Sequence, residues 1–259
     1  VEREMVLTPH EGWWQGRPGI ARIELTRLPA ELRETSGIVD WVRGGGVDLV
    51  ADGEGPIVPR EPLAALAGDP RVRVHVGPGS GTALLLFDTR RGPFQDRELR
   101  RRVAAAIDRN AFVREGELGY AEPTTTLFRG GFAGWPAKGS IAAPAPGAPS
   151  APRVAAHLVL PTGASARVRR EAALLATQLR PIGVDVVVDV ATDAADFRAR
   201  VAEGRADLAI RATHGTPYDP FVSLQTLFLA RADGRTASSS PALWEDDALV
   251  TAVRSALGA

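Results

Sequence analysis

The stretch from Val154 to Arg211 constrains the fold more than any other part of this chain. Val154–Leu160 (VAAHLVL) is an apolar run of strand length, and Pro161-Thr162-Gly163 turns it. Val168, Ala172, Leu175, Leu179 and Ile182 then recur at spacings of four and three, which buries one face of a helix. Pro181-Ile182-Gly183 stops that helix. In Val184–Val190 the valines at 184, 186, 188 and 190 share one side of a strand. Residues from about 193 to 203 read as a second helix with Phe197 and Val201 inward, Gly204 ends it, and residues 207–211 read as a third strand. This is β-α-β-α-β. Its connections are expected to be right-handed and its strands largely parallel. The class is therefore α/β. In open parallel sheets ligands sit beyond the carboxyl ends of the strands, which makes the loop His214-Gly215-Thr216-Pro217 a candidate site wall.

The preceding sequence reads less regularly. Residues 21–28 (ARIELTRL) predict a strand. Residues from about 30 to 43 predict a helix with Leu32, Val39 and Val42 apolar, ended by Gly44-Gly45-Gly46. Residues 47–50 (VDLV) predict the next strand, 61–67 a short helix and 71–76 another strand. The segment Gly46-Val47-Asp48-Leu49-Val50 echoes Arg205-Ala206-Asp207-Leu208-Ala209, and its following loop, Asp52-Gly53-Glu54-Gly55, is the second candidate site wall. Residues 82–87 (TALLLF) suit a strand covered on both faces. Asp96 is a predicted N-cap for a helix whose inner face holds Leu99, Val103, Ile107 and Asn110, with Arg97, Arg100, Arg101 and Arg102 on a solvated surface. Residues 136–152 hold five prolines and no periodicity, and read as an extended connection.

Chemistry is sparse. Lys+Arg and Asp+Glu are 31 each among 259 residues, a balance that gives no reason to expect a nucleic-acid or membrane-surface partner. The chain has no cysteine, which excludes disulfides and thiolate metal sites. No apolar run approaches the roughly 20 residues of a transmembrane helix, and Val1-Glu2-Arg3-Glu4 is not a signal peptide. No nucleophile elbow, nucleotide-binding glycine loop or zinc-binding histidine pair is spelled out. His75 and His157 read as strand filler and His10 as part of a polar segment. His214 follows the last strand and is the one histidine placed to touch a ligand. The aromatics cluster at Trp13-Trp14, Phe128, Phe132, Trp135 and Tyr218, with Trp13-Trp14 expected in the core. These residues favour a binding function over an enzyme.

Several motifs carry a resemblance. Glu11-Gly12-Trp13-Trp14-Gln15-Gly16-Arg17-Pro18 resembles the "YWGGKP" element of the family 5 extracellular solute-binding proteins of ABC importers, the peptide, nickel and oligosaccharide group. Trp41-Val42-Arg43-Gly44-Gly45-Gly46-Val47-Asp48-Leu49 resembles that family's "ALxxGEVDIA", and TALLLFDT at 82–89 its "xxYLAFNT". Pro93-Phe94-Gln95-Asp96-Arg97-Glu98-Leu99-Arg100, followed by Ala105-Ala106-Ile107-Asp108-Arg109, resembles "PFxDxxVRQALxYAIDR", the most specific of these matches. Residues 174–188 resemble "IQxQLKxIGIxVEL", and Tyr218-Asp219-Pro220 the "DP" motif. The resemblance runs in order over about residues 10–230.

The resemblance implies a type II periplasmic-binding-protein-like fold with mostly parallel or mixed sheets and flanking helices. Residues 1–78 would be part of lobe one, 79–210 lobe two, and 211–259 a return segment towards lobe one, with hinges near 78–83 and 211–217. Much of lobe one would lie outside this chain. The implied role is the substrate-binding component of an ABC importer, without enzymatic activity, extracellular as a lipoprotein or periplasmic, monomeric, and working with permease subunits. Peptide-binding members carry an aspartate where Thr216 stands, and it holds the peptide's amino group. The loop instead resembles the "TWGAPYDP" of nickel-binding members, and Asp52-Gly53-Glu54-Gly55-Pro56 resembles their "GNEGLLP". Tyr218 carries over directly, whereas His214 replaces a tryptophan and is a candidate nickel ligand. The implied ligand is a small metal chelate, such as a Ni(II) chelate, or a short peptide. Tyr218, His214, Arg211, Thr216, Glu54 and Trp135 are the expected ligand-binding residues. Alternatives are an oligopeptide- or dipeptide-binding protein and the ligand-sensing domain of a regulator.

Overall fold

The structure is a computed structural model that describes residues 3–27, 32, 37–50, 60–77, 79, 81–128, 152–213, 220–229 and 247–257. The chain divides into two compact units, residues 1–75 and 76–259.

The second unit is built on a four-stranded mixed sheet in the order β3-β6-β4-β5. Its strands are β3 (Ala83–Phe87), β4 (Val154–Leu160), β5 (Val184–Val190) and β6 (Leu208–Ala212). β4 runs parallel to β5 from Val154↔Val184 to Leu160↔Val190, and parallel to β6 at Leu158↔Leu208. β3 runs antiparallel to β6, with Ala83 opposite Ala212 and Phe87 opposite Leu208. Two helices cross over between the parallel strands. They are α5 (Ala166–Leu179), from β4 to β5, and α6 (Ala194–Ala202), from β5 back past β4 to β6.

The pleat distributes the strand side chains between two cores. Ala156, Leu158, Leu160, Val184 and Leu208 join Ala172, Leu175 and Leu179 of α5 and Leu99 and Val103 of α3 (Arg97–Ala106) in the larger cluster. Val159, Ala206 and Ala209 face the other way, against Val201 and Phe197 of α6. β3 contributes to both, with Leu85 and Phe87 on one side and Leu86 on the other. This is the two-sided cover that its apolar run predicts.

The helix ends follow local chemistry. Asp96 caps α3 by accepting a hydrogen bond from Glu98 N at 2.8 Å. The helix stops at Ala106, and Asp108 caps a new short turn, α4 (Arg109–Ala111), by accepting from Ala111 N at 3.1 Å. Asn110 therefore lies beyond the helix and is exposed, contrary to its expected inward place. Gly183, in the left-handed region at φ 84°, closes the segment after α5 and turns the chain into β5. Helices α7 (Pro220–Phe228) and α8 (Asp247–Leu257) pack against each other.

The first unit carries less regular structure. β1 (Arg3–Leu7) and β2 (Ile23–Thr26) form an antiparallel ribbon with Leu7 opposite Ile23. Ile38 and Val39 of α1 (Gly37–Arg43) and Leu66 of α2 (Arg60–Ala67) form a small core with Trp41, Val42, Val50, Val72 and Val74 around it. Arg71 and Arg43 both bind Asp69, and the bidentate hydrogen bonds from Arg71 hold that carboxyl below the usual carboxylate range.

Three sequence expectations fail here. Residues 47–50 and 71–76 are not strands. A strand exists only when a neighbour accepts its backbone hydrogen bonds, and Leu49 is 80% exposed. The echo between 46–50 and 205–209 therefore does not extend to structure. Trp13 and Trp14 are exposed rather than core, and their rings lie 5.7 Å apart, centroid to centroid. The proline-rich stretch 136–151 is outside the described residues.

Candidate functional site

The topology of the second unit defines where a ligand edge lies. α5 and α6 cover opposite faces of the sheet, and the chain reverses its direction of travel across the sheet at β5. Beyond the carboxyl ends of the neighbouring strands β4 and β5 the crossovers diverge to opposite faces, which is the switch point at which open α/β sheets bind ligands. That edge holds the turn Pro161–Ser165, the turn Ala191–Asp193, Thr213 and, because β3 is antiparallel, Gly81 and Thr82 at its start.

Two helix N-termini open on the same edge. Ser165 caps α5 by accepting from Val168 N at 3.3 Å. Asp193 caps α6 by accepting from Ala195 N at 2.7 Å and Asp196 N at 2.8 Å. Both termini place partial positive charge there.

Arg211 is the candidate ligand-binding residue that the described structure contains. It lies on β6 opposite Leu84, one residue before the strand ends. Its side chain is half-buried, with the guanidinium carbon 5.4 Å from the centre of the Phe197 ring on α6, and Nη1 donates to Ile210 O at 3.4 Å. Burial lowers its pKa, yet a guanidinium stays a cation at any physiological pH. A charge that burial has already stripped of much of its water suits an anionic group better than a neutral one.

His214, Thr216, Tyr218, Glu54 and Trp135 lie outside the described residues. Among the described residues no three of His, Asp or Glu come together as a metal site, and no helix is long and apolar enough to cross a membrane. His157 is on β4, half-exposed, with Nδ1 3.4 Å from Asp189 Oδ2. Phe128 is buried rather than lining an open surface.

The sequence reading missed the pair Thr82 and Thr213. Thr213 N donates to Thr82 O at 2.9 Å, and Thr82 N donates to Thr213 Oγ1 at 2.8 Å. Both side chains are buried. The pair continues the β3–β6 ladder one step past the strands and fixes where the chain leaves the sheet towards residue 214. Thr82 opens one predicted strand and Thr213 stands two residues beyond the end of another, but nothing in the sequence joins the two.

The opposite, amino-terminal edge is closed by buried aspartates. Asp88 accepts from Arg90 Nε at 3.1 Å and Nη2 at 3.0 Å, and its backbone N donates to Asp207 O at 2.8 Å. Asp207 accepts from His157 N at 2.8 Å. Gly92, at φ 68°, approaches Asp207 so closely that a Cβ there would collide with the carboxylate. The polar groups at this edge are satisfied by one another, so it is built for closure.

The family model for bacterial extracellular solute-binding proteins, family 5 (middle region), matches residues 1–235. The chain belongs to this family. Solved structures agree on the fold. NikA from Brucella suis in complex with Fe(III)-EDTA aligns with a TM-score of 0.67 at 20% identity, over 97% of this chain and 56% of that one. An ABC transporter substrate-binding protein from Sinorhizobium meliloti gives 0.67 at 25% identity, over 98% and 53%. DppA from Helicobacter pylori in complex with the peptide STSA gives 0.64 at 16% identity, over 97% and 48%. No curated protein matches significantly. The fold of this family 5 chain is type II periplasmic-binding-protein-like, with mixed sheets, flanking helices and two lobes. The chain spans about half the length of the solved structures it matches.

Proposed function

We propose that this family 5 chain supplies the substrate-capturing part of an ABC importer, binding a small solute in an interlobe cleft outside the cell and delivering it to permease subunits. The family match over residues 1–235 carries this reading. The open carboxyl edge of the sheet supports it, since it is the edge from which the loop after Thr213 departs. In this reading residues 79–210 are lobe two, and 1–78 and 211–259 belong with lobe one. Hinges lie near 78–83 and 211–217.

The ligand is a small metal chelate, with a Ni(II) chelate ahead of a short peptide. Thr216 lacks the carboxylate that would pair a peptide ammonium, and an unpaired charge in a closed cleft is costly. His214 offers an imidazole to the metal, Tyr218 an aromatic wall, and Arg211 a cation for a chelator carboxylate, while Glu54 and Trp135 complete the set. That one fold relative is described with Fe(III)-EDTA and another from Staphylococcus aureus with Ni(L-His)2 supports a chelate. The peptide held by DppA favours the second reading, a peptide. Calorimetric titration of the full-length protein with Ni(II), with Ni(II)-histidine and with di- and tripeptides separates them. Heat with Ni(II)-histidine alone supports the first reading, and tight binding of peptides without heat from any nickel species supports the second. Silence with all of them removes both.

A further inference from the structure

The two ends of the β3–β6 ladder close in different ways. In an antiparallel ladder every second facing pair exchanges two backbone hydrogen bonds. Asp88 and Asp207 face each other one step past the strands at the amino-terminal edge, and Asp88 N donates to Asp207 O at 2.8 Å. Stepping along the register by twos from that pair gives Leu86 with Ala209, Leu84 with Arg211, and then Thr82 with Thr213. A regular ladder would therefore have Thr82 and Thr213 exchange both bonds through their backbones. Thr213 N does donate to Thr82 O, at 2.9 Å. Thr82 N, however, donates to the side-chain Oγ1 of Thr213, at 2.8 Å. The hydroxyl stands in for its own carbonyl.

This exchange solves a problem that every strand end inside a protein meets. A chain that turns away from a ladder takes its carbonyl with it and orphans the amide opposite, which is costly where water cannot reach. At position 213 the hydroxyl keeps the amide of Thr82 paired while the carbonyl is released from the ladder. That carbonyl lies beside Gly81, where a Cβ would stand 3.1 Å from it, so the two chains pass closely at this point. Thr82 and Thr213 are alike in type and in burial, 7% and 6% exposed. Only Thr213 brings its side chain into the link, since Thr82 joins it through backbone N and O.

We propose that Thr213 is a positioning residue for solute capture, whose hydroxyl fixes the point at which the chain leaves the sheet for the loop that begins at His214. The proposal rests on the reading of that loop as a wall of the solute site. Thr213 touches no solute in this account and acts through the chain that follows it. The oxygen carries the role, whereas bulk and branching at Cβ do not. Valine keeps the shape of threonine without the acceptor, and serine keeps the acceptor without the methyl group.

The test compares the full-length protein with its Thr213→Val, Thr213→Ser and Thr82→Val variants. Without ligand, Thr213→Val is expected to raise amide exchange at position 82 and across residues 213–219 by about tenfold, while β4 stays protected. Thr213→Ser and Thr82→Val are expected to stay within about twofold of wild type. Titration with Ni(II)-histidine and with di- and tripeptides is expected to follow the same order, with an affinity loss of about tenfold or more for Thr213→Val alone. Thr213→Ala, which sets no methyl group against the Thr82 amide, carries the test if Thr213→Val does not fold. If the wild type binds none of these probes, the capture reading falls, and the exchange pattern still decides whether the hydroxyl sets the chain's departure. Equal effects of Thr82→Val and Thr213→Val would overturn the proposal. So would an amide at position 82 that stays protected in Thr213→Val, or wild-type affinity in that variant for a probe that the wild type binds.

Discussion

The two sheets of this protein obey the same backbone rules and differ in what covers them. The four-stranded sheet of residues 76–259 has a helix on each face, so β4 sends Leu158 into one core and Val159 into the other. The β1–β2 ribbon of residues 1–75 has its hydrogen bonds but leaves Met5, Leu7, Ile23 and Leu25 exposed. Pairing alone makes a ribbon, and burial on both sides makes a core, because an isolated two-stranded sheet is marginal in water.

The largest expected effect separates these regions directly. Leu158 is fully buried beneath α5, so Leu158→Ala should cost about 3 kcal/mol in denaturant unfolding. Equal costs for Leu158→Ala and Leu25→Ala would break the comparison. At the exit of the large sheet, Thr213→Val removes the acceptor of Thr82 N and leaves a buried donor unpaired. It should cost about 1–2 kcal/mol, and Thr213→Ser should restore most of it. Asp193→Ala removes the cap that serves two amides of α6, with an expected loss of about 1 kcal/mol. Smallest of all, Trp14→Ala and Leu25→Ala should stay within about 0.5 kcal/mol of wild type, since both side chains are exposed.

The same contrast explains what the sequence made legible. The β4-α5-β5-α6-β6 run was readable because its signals are local or periodic. They include the spacing of Ala172, Leu175 and Leu179, the turn at Gly163, and the glycines Gly183 and Gly204 that end helical segments at positive φ. Asp96 announced α3 for the same reason. Residues 47–50 and 71–76 have strand-like composition, but whether a strand forms depends on a partner far away in sequence. The Trp13-Trp14 pair misled because aromatic bulk favours burial only where other elements supply the cover. The sheet edge that defines the candidate site was legible through the β-α-β-α-β pattern and the loop that follows its last strand. The Thr82–Thr213 link was not, because it joins residues 131 positions apart.

The central claim is that solute binds beyond the carboxyl ends of β4, β5 and β6. Amide hydrogen exchange on the full-length protein, with and without saturating Ni(II)-histidine or a bound peptide, tests it most directly. The account predicts new protection at residues 161–165, 191–193 and 213–219, with the amino-terminal edge around Asp88 and Asp207 unchanged. Ligand-induced protection confined to that amino-terminal edge, with none at residues 213–219, would contradict it.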